Sequence, residues 1–509
     1  MNQMKGTFPA SFFQLCLLTV LWALMAWFYR SADVLPLPPG HIHGWRQADC
    51  ASLTRNFYEE NLPVWEPRVH YAKEDGSGKA VGEFPVLNYA TAKIMKVTGF
   101  SWTAQRAVVL FCCWLAVTGL FLWLGEEFGA AWPALWISLL LFTSPIFVYY
   151  GCSYLPDVPS AALALWALWA DARFRRTGNR TYGISSALLV CTAVLVKVSS
   201  GVVWVTLLCM LASRWFFAPD RKKAALKNLP VYLVHGVSAI LVWQWYAYAH
   251  RYDFARKPMI FLTHIRPYWE THPDEFSIIN RQIFDVWLPD YFHISVWITA
   301  AAAFLANLYL TRKNRDLFLL NLLVPLGFFA FLVLMYKQLY WHDYYLVIPV
   351  LAPVLVIGIC VCSLWRLWPH KGARVAVGLF VLGLSVFNMR HAGETVVRRY
   401  FGTEYRFADY DLEELRPILR QKGVPRTDLM IVVPDISPNN SLVLADQYGY
   451  SNFMGTNDSI QDVERHIRLG AKWLTVTDTA YLHKDFLKPF THDTFTVYKG
   501  IHVFQLKEQ

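Results

Sequence analysis

The sequence is poor in charge. Only 17% of its 509 residues are Asp, Glu, Lys or Arg, while 55% are hydrophobic, and a soluble domain carries roughly 25% charged residues. That shortage excludes an ordinary soluble globular protein and points to a bilayer. No Cys-x-x-Cys pair and no metal-ligand spacing occurs among the nine cysteines, which removes zinc modules and dithiol redox centres read from spacing. Cys16, Cys112, Cys113, Cys191, Cys209, Cys360 and Cys362 fall in apolar runs, leaving Cys50 and Cys152 in external loops, where a disulfide between them is one reading. No small-residue cleavage site follows the first apolar run, residues 11–28, so it is expected to stay as a membrane span. No internal repeat is visible, and the ionisable residues do not gather at the middle of the apolar runs, as those of a transporter usually do.

What is present is a series of runs of about 20 apolar residues, each long enough to cross roughly 30 Å of hydrocarbon. The 22 Trp and 26 Tyr suit a chain with many membrane interfaces. The net charge of +10 is topological, because Lys and Arg cluster in short loops between the runs, where the positive-inside rule expects them. Nucleic acid is therefore not an expected partner. An N-terminus placed inside gives an external loop over 31–102, a hairpin of spans at 105–124 and 131–150, and a fourth span from Asp157 to the basic residues Arg173, Arg175, Arg176 and Arg180. The stretch 182–217 reads as one long helix or as two spans meeting at Lys197-Val198-Ser199-Ser200-Gly201. The cluster Arg221, Lys222, Lys223 and Lys227 decides for two, since one span would place that cluster outside. A second external loop follows at 250–293, and the last span covers about 375–387, for a total of about eleven transmembrane helices.

From Arg390 the composition turns soluble, dividing the chain into a membrane domain, 1–389, and an external domain, 390–509. Residues 412–419 form an amphipathic helix pattern, 429–433 a buried strand, and 463–476 a helix, turn and strand, so the tail is expected to be a small α/β domain. It has no phosphate-binding glycine loop and no metal motif; acceptor docking and structural support are both open roles.

Ionisable residues at a membrane cavity are costly and mark candidate sites. On this topology Asp49, Glu83, Asp157, Lys197 and His342 all fall at the outer face. Asp49 follows Gly44-Trp45-Arg46-Gln47-Ala48 and opens a helical stretch to Glu60 that is expected to lie on the membrane. It is either a general base for an acceptor hydroxyl or a carboxylate favoured at a helix N-terminus. Glu83, in Gly82-Glu83-Phe84-Pro85, binds a divalent cation, polarises the acceptor, or sits in the first turn of a helix with Pro85 setting φ. Asp157 is an N-cap or a cation or hydroxyl ligand. Lys197 stabilises a leaving phosphate or snorkels to headgroups. Arg46 and His342 are further candidates for the same pocket, and Tyr344 and Tyr345 beside His342 read as interface anchors.

Together these residues resemble the polyprenyl-phosphate-sugar-dependent glycosyltransferases of the GT-C fold, which include protein O-mannosyltransferases and lipid A aminoarabinose transferases. The resemblance covers about residues 10–390. It rests on Trp45-Arg46-Gln47-Ala48-Asp49, Glu83-Phe84-Pro85, Pro156-Asp157, Lys197, and His342-Asp343-Tyr344-Tyr345 with Pro349 and Pro353. It implies a multi-pass enzyme of the bacterial inner membrane, with a cytoplasmic N-terminus and a periplasmic tail, moving a sugar from a polyprenyl-phosphate carrier to an extracytoplasmic acceptor. Asp49 would be the first-loop catalytic carboxylate and Asp157 the second acidic site, with Lys197 and Tyr345 where the carrier phosphate is held. The sequence departs from the pattern in having no Asp-Glu pair at Asp49 and Phe84 where the aminoarabinose transferases place a lysine. A lipid flippase and a non-catalytic scaffold are the rival readings.

Overall fold

The computed structural model describes residues 12–261, 264–402 and 410–507. Helices form over the apolar runs. Six of them are long and apolar enough to cross a membrane: Trp102–Phe128, Val198–Phe216, Arg221–Phe254, Arg315–Leu334, Asp343–Leu367 and Lys371–Phe401. Two bent pairs raise the number to eight, Ala131–Leu141 with Pro145–Gly151 (77°) and Pro273–Tyr291 with Ile294–Leu310 (87°). The first bend has a local cause: Pro145 cannot donate to the preceding turn, and the Ser144 hydroxyl accepts the Phe147 N–H to start a new helix. The chain is thus a multi-pass membrane protein with six to eight spans by length and composition. At other expected spans the helices are shorter, Phe12–Phe28 and Arg180–Val196, or carry charge at one end, as Asp157–Thr177 does with Asp171, Arg175 and Arg176.

The stretch 182–217 is two helices, Arg180–Val196 and Gly201–Phe216, joined by a 3-10 turn at Val198–Ser200. At the far end of this hairpin, ion pairs tie the basic loops together. Asp171 receives Arg214 at 2.7 Å and Arg175 at 3.1 Å, and Asp316 receives Arg214 at 3.0 Å.

The tail contains a five-stranded sheet of order β2-β1-β3-β5-β4, with β1 Leu429–Val433, β2 Gly449–Ser451, β3 Ala471–Val476, β4 Thr494–Tyr498 and β5 Ile501–Gln505. β1 runs parallel to β2 and β3, and β5 antiparallel to β3 and β4. The β4–β5 hairpin turns on Lys499 (φ 47) and Gly500 (φ 87), the left-handed pair a two-residue turn requires. The helix that begins at Lys371 does not end near Arg390 but continues to Phe401. Ala392, Val396 and Tyr400, spaced by four, give it a buried stripe where the average composition has already become polar.

The helix expected to lie on the membrane surface, Gly44–Glu60, is instead covered. Residues Gln47 to Phe57 are buried, because the tail packs over the loop between the first two expected spans in one apolar cluster containing Ala48, Cys50, Tyr71, Met430 and Val443. Polar contacts fix this docking. Asp446, on the tail, accepts Arg55 at 2.7 Å and Arg426 at 2.8 Å, and lies 3.3 Å from His70 Nε2. Cys50 and Cys152 are both free thiols, so no disulfide joins them.

Burial lowers the His70 imidazole from its ordinary 6.5 to about 4. The unfolded chain then binds a proton between these values that the folded chain does not. The linked stability is fully present above pH 6.5 and lost as the pH falls toward 4. At roughly 1.4 kcal/mol per unit the span amounts to about 3 kcal/mol. Thermal melting of the wild type at pH 7.5 and pH 5 is expected to show about 2 kcal/mol of this loss, and His70→Gln to reduce it; equal pH dependence in both would contradict the assignment.

Candidate active site at one end of the bundle

Four segments far apart in sequence bring charge together. Asp157 starts its helix directly after Pro156. Lys197 ends the helix Arg180–Val196 and leaves it in an extended conformation, φ −156. The loop carrying Glu83 is pinned beside it, the Phe84 N–H donating to the Leu195 carbonyl at 2.8 Å. Arg46 lies in the first turn of Gly44–Glu60, which follows His43 in a left-handed conformation.

In this arrangement the Lys197 ammonium lies 3.0 Å from Glu83 Oε1 and 3.2 Å from Asp157 Oδ1, and Arg46 Nη2 lies 2.5 Å from Glu83 Oε2. The Lys197 and Asp157 side chains are 4% and 1% exposed, so these charges interact in a low-dielectric setting. Burial opposes ionisation of Glu83, but Arg46 and then Lys197 outweigh it and hold the carboxyl well below the usual carboxylate range. Lys197 also lies 5.0 Å from the Tyr344 ring centre and 5.3 Å from that of Tyr345, and Arg46 stacks over Phe261 at 4.7 Å. Among the described residues, Arg46 Nη1 and His342 Nδ1 are buried without a hydrogen-bond partner, and neither Asp157 oxygen receives an aligned hydrogen bond. Leaving such a group unpaired costs about 1–3 kcal/mol.

Arg46, Glu83, Asp157, Lys197 and Tyr345 are therefore brought together. His342 flanks them across the tyrosines, its ring 5.2 Å from Tyr344 and 6.0 Å from Tyr345. Burial, with His43 adding to it, lowers this imidazole to about 3, so it is neutral at physiological pH. Asp49 stands apart from the ion-pair cluster, one helical turn beyond Arg46. It is 5% exposed, and its Oδ1 accepts Asn439 Nδ2 of the tail at 2.7 Å. Burial raises the Asp49 carboxyl to about 7 against the opposing pull of Arg46 and Asn439.

As placed, Glu83 and Asp157 share the ammonium of Lys197. No group of three or more His, Cys, Asp or Glu among the described residues is arranged to hold a metal ion. Two carboxylates already bridged by an internal cation are a poor fit to a divalent ion, which takes six or more oxygen ligands.

A second polar cluster adjoins the first and was not legible in the sequence. His43 Nε2 lies 2.9 Å from Asp343 Oδ1, Tyr150 donates to the same oxygen at 2.6 Å, and Arg399 donates at 2.6 Å to Asp343 Oδ2 and to Asp290 Oδ2. Asp343 had only its place beside His342 to mark it. Arg399 falls in the stretch whose composition reads as soluble, and Asn439 sits in a polar loop of ordinary turn composition.

The sequence profile of a family described as dolichyl-phosphate-mannose-protein mannosyltransferase matches residues 82–247, from Glu83 through Asp157 and Lys197. No curated protein matches the chain by sequence. Among solved structures, ArnT from Cupriavidus metallidurans bound to undecaprenyl phosphate is similar over 97% of this chain and 98% of its own, at 13% identity and TM-score 0.62. The archaeal oligosaccharyltransferase AglB from Archaeoglobus fulgidus, in complex with an inhibitory peptide and a dolichol-phosphate, is similar over 92% of this chain and 70% of its own, at 13% identity and TM-score 0.56. An arabinofuranosyltransferase, AftD from Mycobacteria, matches 96% of this chain and 41% of its own, at 13% identity and TM-score 0.55. The fold of this chain is that of the polyprenyl-phosphate-sugar-dependent GT-C glycosyltransferases.

Proposed function

We propose that the protein is a membrane glycosyltransferase that moves a sugar from a polyprenyl-phosphate carrier to an extracytoplasmic hydroxyl on a glycan, lipid or protein. The observation that carries this reading is the cationic pair Arg46 and Lys197, with an unpaired donor at Arg46 Nη1 and an unpartnered ring nitrogen at His342 Nδ1. A phosphate oxygen satisfies the guanidinium donor, and Tyr344 and Tyr345 wall the same space. The undecaprenyl phosphate and dolichol-phosphate held by similarly folded proteins support a lipid carrier of this kind.

In the proposed reaction the acceptor oxygen attacks the anomeric carbon while the carbon–oxygen bond to phosphate breaks. Asp49, half ionised near pH 7, takes the hydroxyl proton. Polyprenyl phosphate leaves with the bonding electrons, stabilised by Lys197 and Arg46, with Tyr345 and His342 lining its place. A single displacement inverts the anomeric centre. Asp157 holds Lys197 in position from its far side. Eleven helices cross the bacterial inner membrane in this proposal, the three short or charged ones included, with the N-terminus cytoplasmic and the tail periplasmic.

The test is release of polyprenyl phosphate by purified protein from a panel of polyprenyl-phosphate sugars, comparing wild type with Asp49→Asn, each with and without a chelator. Release by wild type and a loss of at least about a hundredfold in Asp49→Asn support the reading. The chelator arm tests a divalent ion at Glu83 and Asp157. Flux of carrier lipid across liposomes without any release would favour a flippase instead.

A further inference from the structure

The sequence of the tail carries no chemical motif, yet the tail supplies the only hydrogen bond that the Asp49 carboxylate receives among the described residues. The contact joins residues 390 positions apart. The Asn439 amide is oriented without ambiguity, since its Oδ1 accepts the Tyr71 backbone N–H at 2.9 Å and its Nδ2 is therefore the group facing Asp49. The loop bearing it is rigid on local grounds. The Asp435 carboxylate accepts the Ser437 and Ser441 backbone N–H groups at 2.8 Å each, and Asn439 is fully buried.

We infer that Asn439 is a positioning residue for Asp49, engaging one carboxylate oxygen so that the other is presented to the acceptor hydroxyl. This rests on the proposed role of Asp49 as the base. The C-terminal domain is then part of the active site, and the carboxylate is set from two sides, by Arg46 on its own helix and by Asn439 above it. The other charges acting on Asp49 are Glu83, from the loop before Val86–Thr98, and Asp253, at the end of Arg221–Phe254. Both are acidic and favour the protonated form, and Arg46 and Asn439 favour the ionised one.

The test is Asn439→Asp. Its carboxylate still accepts the Tyr71 N–H but replaces the donated hydrogen bond with a second negative charge beside Asp49. The acid limb of the kcat/KM profile is expected to move up by at least about one pH unit, with turnover at pH 7 down about tenfold. The KM for donor should stay within about twofold, because Arg46 and Lys197 are untouched. Asn439→Ala removes the bond without adding charge and should move the limb in the same direction by less; it carries the test if the charged variant fails to fold. An unmoved acid limb in a variant that melts like wild type overturns the inference. If Asp49→Asn itself keeps near-normal turnover, the assignment of the base fails, an outcome read independently of Asn439.

Discussion

Lys197→Met is expected to reduce turnover by about a thousandfold, on the scale seen when one preorganised donor is removed from a developing anion. The side chain is nearly isosteric, so the effect is electrostatic. In the wild type, Lys197 and Arg46 face Glu83 and Asp157 at 2.5 to 3.2 Å. Removing one cation leaves two carboxylates against a single guanidinium, and a carrier phosphate would enter a site of the same sign as itself. Both donor KM and kcat should suffer, since the phosphate is bound in the ground state and gains charge as it leaves. Lys197→Arg keeps the charge but not the compact ammonium between the two carboxylates, and should fall in between. Steady-state kinetics at saturating acceptor decide the matter; a loss of less than tenfold in Lys197→Met would remove this residue from the phosphate site.

Asp446→Ala is expected to destabilise the docked tail by about 3–5 kcal/mol, the cost of stripping one partner from a buried ionic cluster. Arg55 and Arg426, with side chains 5% and 14% exposed, lose their shared anion and remain as facing cations. The surrounding cations, with a hydrogen bond from His70, hold the Asp446 carboxyl well below the usual carboxylate range against the effect of burial. The docking energy it contributes is therefore present above the ordinary aspartate pKa and lost only in strong acid. The acid loss at its hydrogen-bond partner His70 begins at higher pH, near 6.5. Limited proteolysis should degrade residues 410–507 of the variant faster than those of the wild type, while the membrane helices keep their melting behaviour. Unchanged protection would show that the apolar cluster beneath Met430 and Val443 suffices for docking.

The sequence disclosed what depends on local pattern. Apolar length located the helices, charge at their ends separated Arg180–Val196 from Gly201–Phe216, and short apolar segments in the tail located β1 and β3. The cluster of Arg46, Glu83, Asp157 and Lys197 was legible because each residue sits at the end of an element that topology assigns to one face. Contacts between distant segments were hidden. Nothing in the composition near Asn439 records that it meets Asp49, and the amphipathic look of Gly44–Glu60 suits a membrane surface as well as a protein roof. The β4–β5 hairpin was missed because β4 carries its Val497 exposed and has no buried residue, although β5 buries Ile501, Val503 and Phe504. Arg399 was hidden by averaging, since one buried arginine in a helical turn looks like the start of a soluble segment.

The 390-residue separation between Asp49 and Asn439 also orders events in time. A chain made from its N-terminus threads Asp49, Arg46 and Lys197 into place before the residue that covers Asp49 has been polymerised. Until the tail has emerged, folded and settled, a newly inserted protein carries its cationic cluster with an uncovered carboxylate. Burial of Asp49 therefore waits on the last part of the chain to be made, and a chain cut short before β1 would keep Arg46 and Lys197 and lack the residue that, on the proposed function, sets the base.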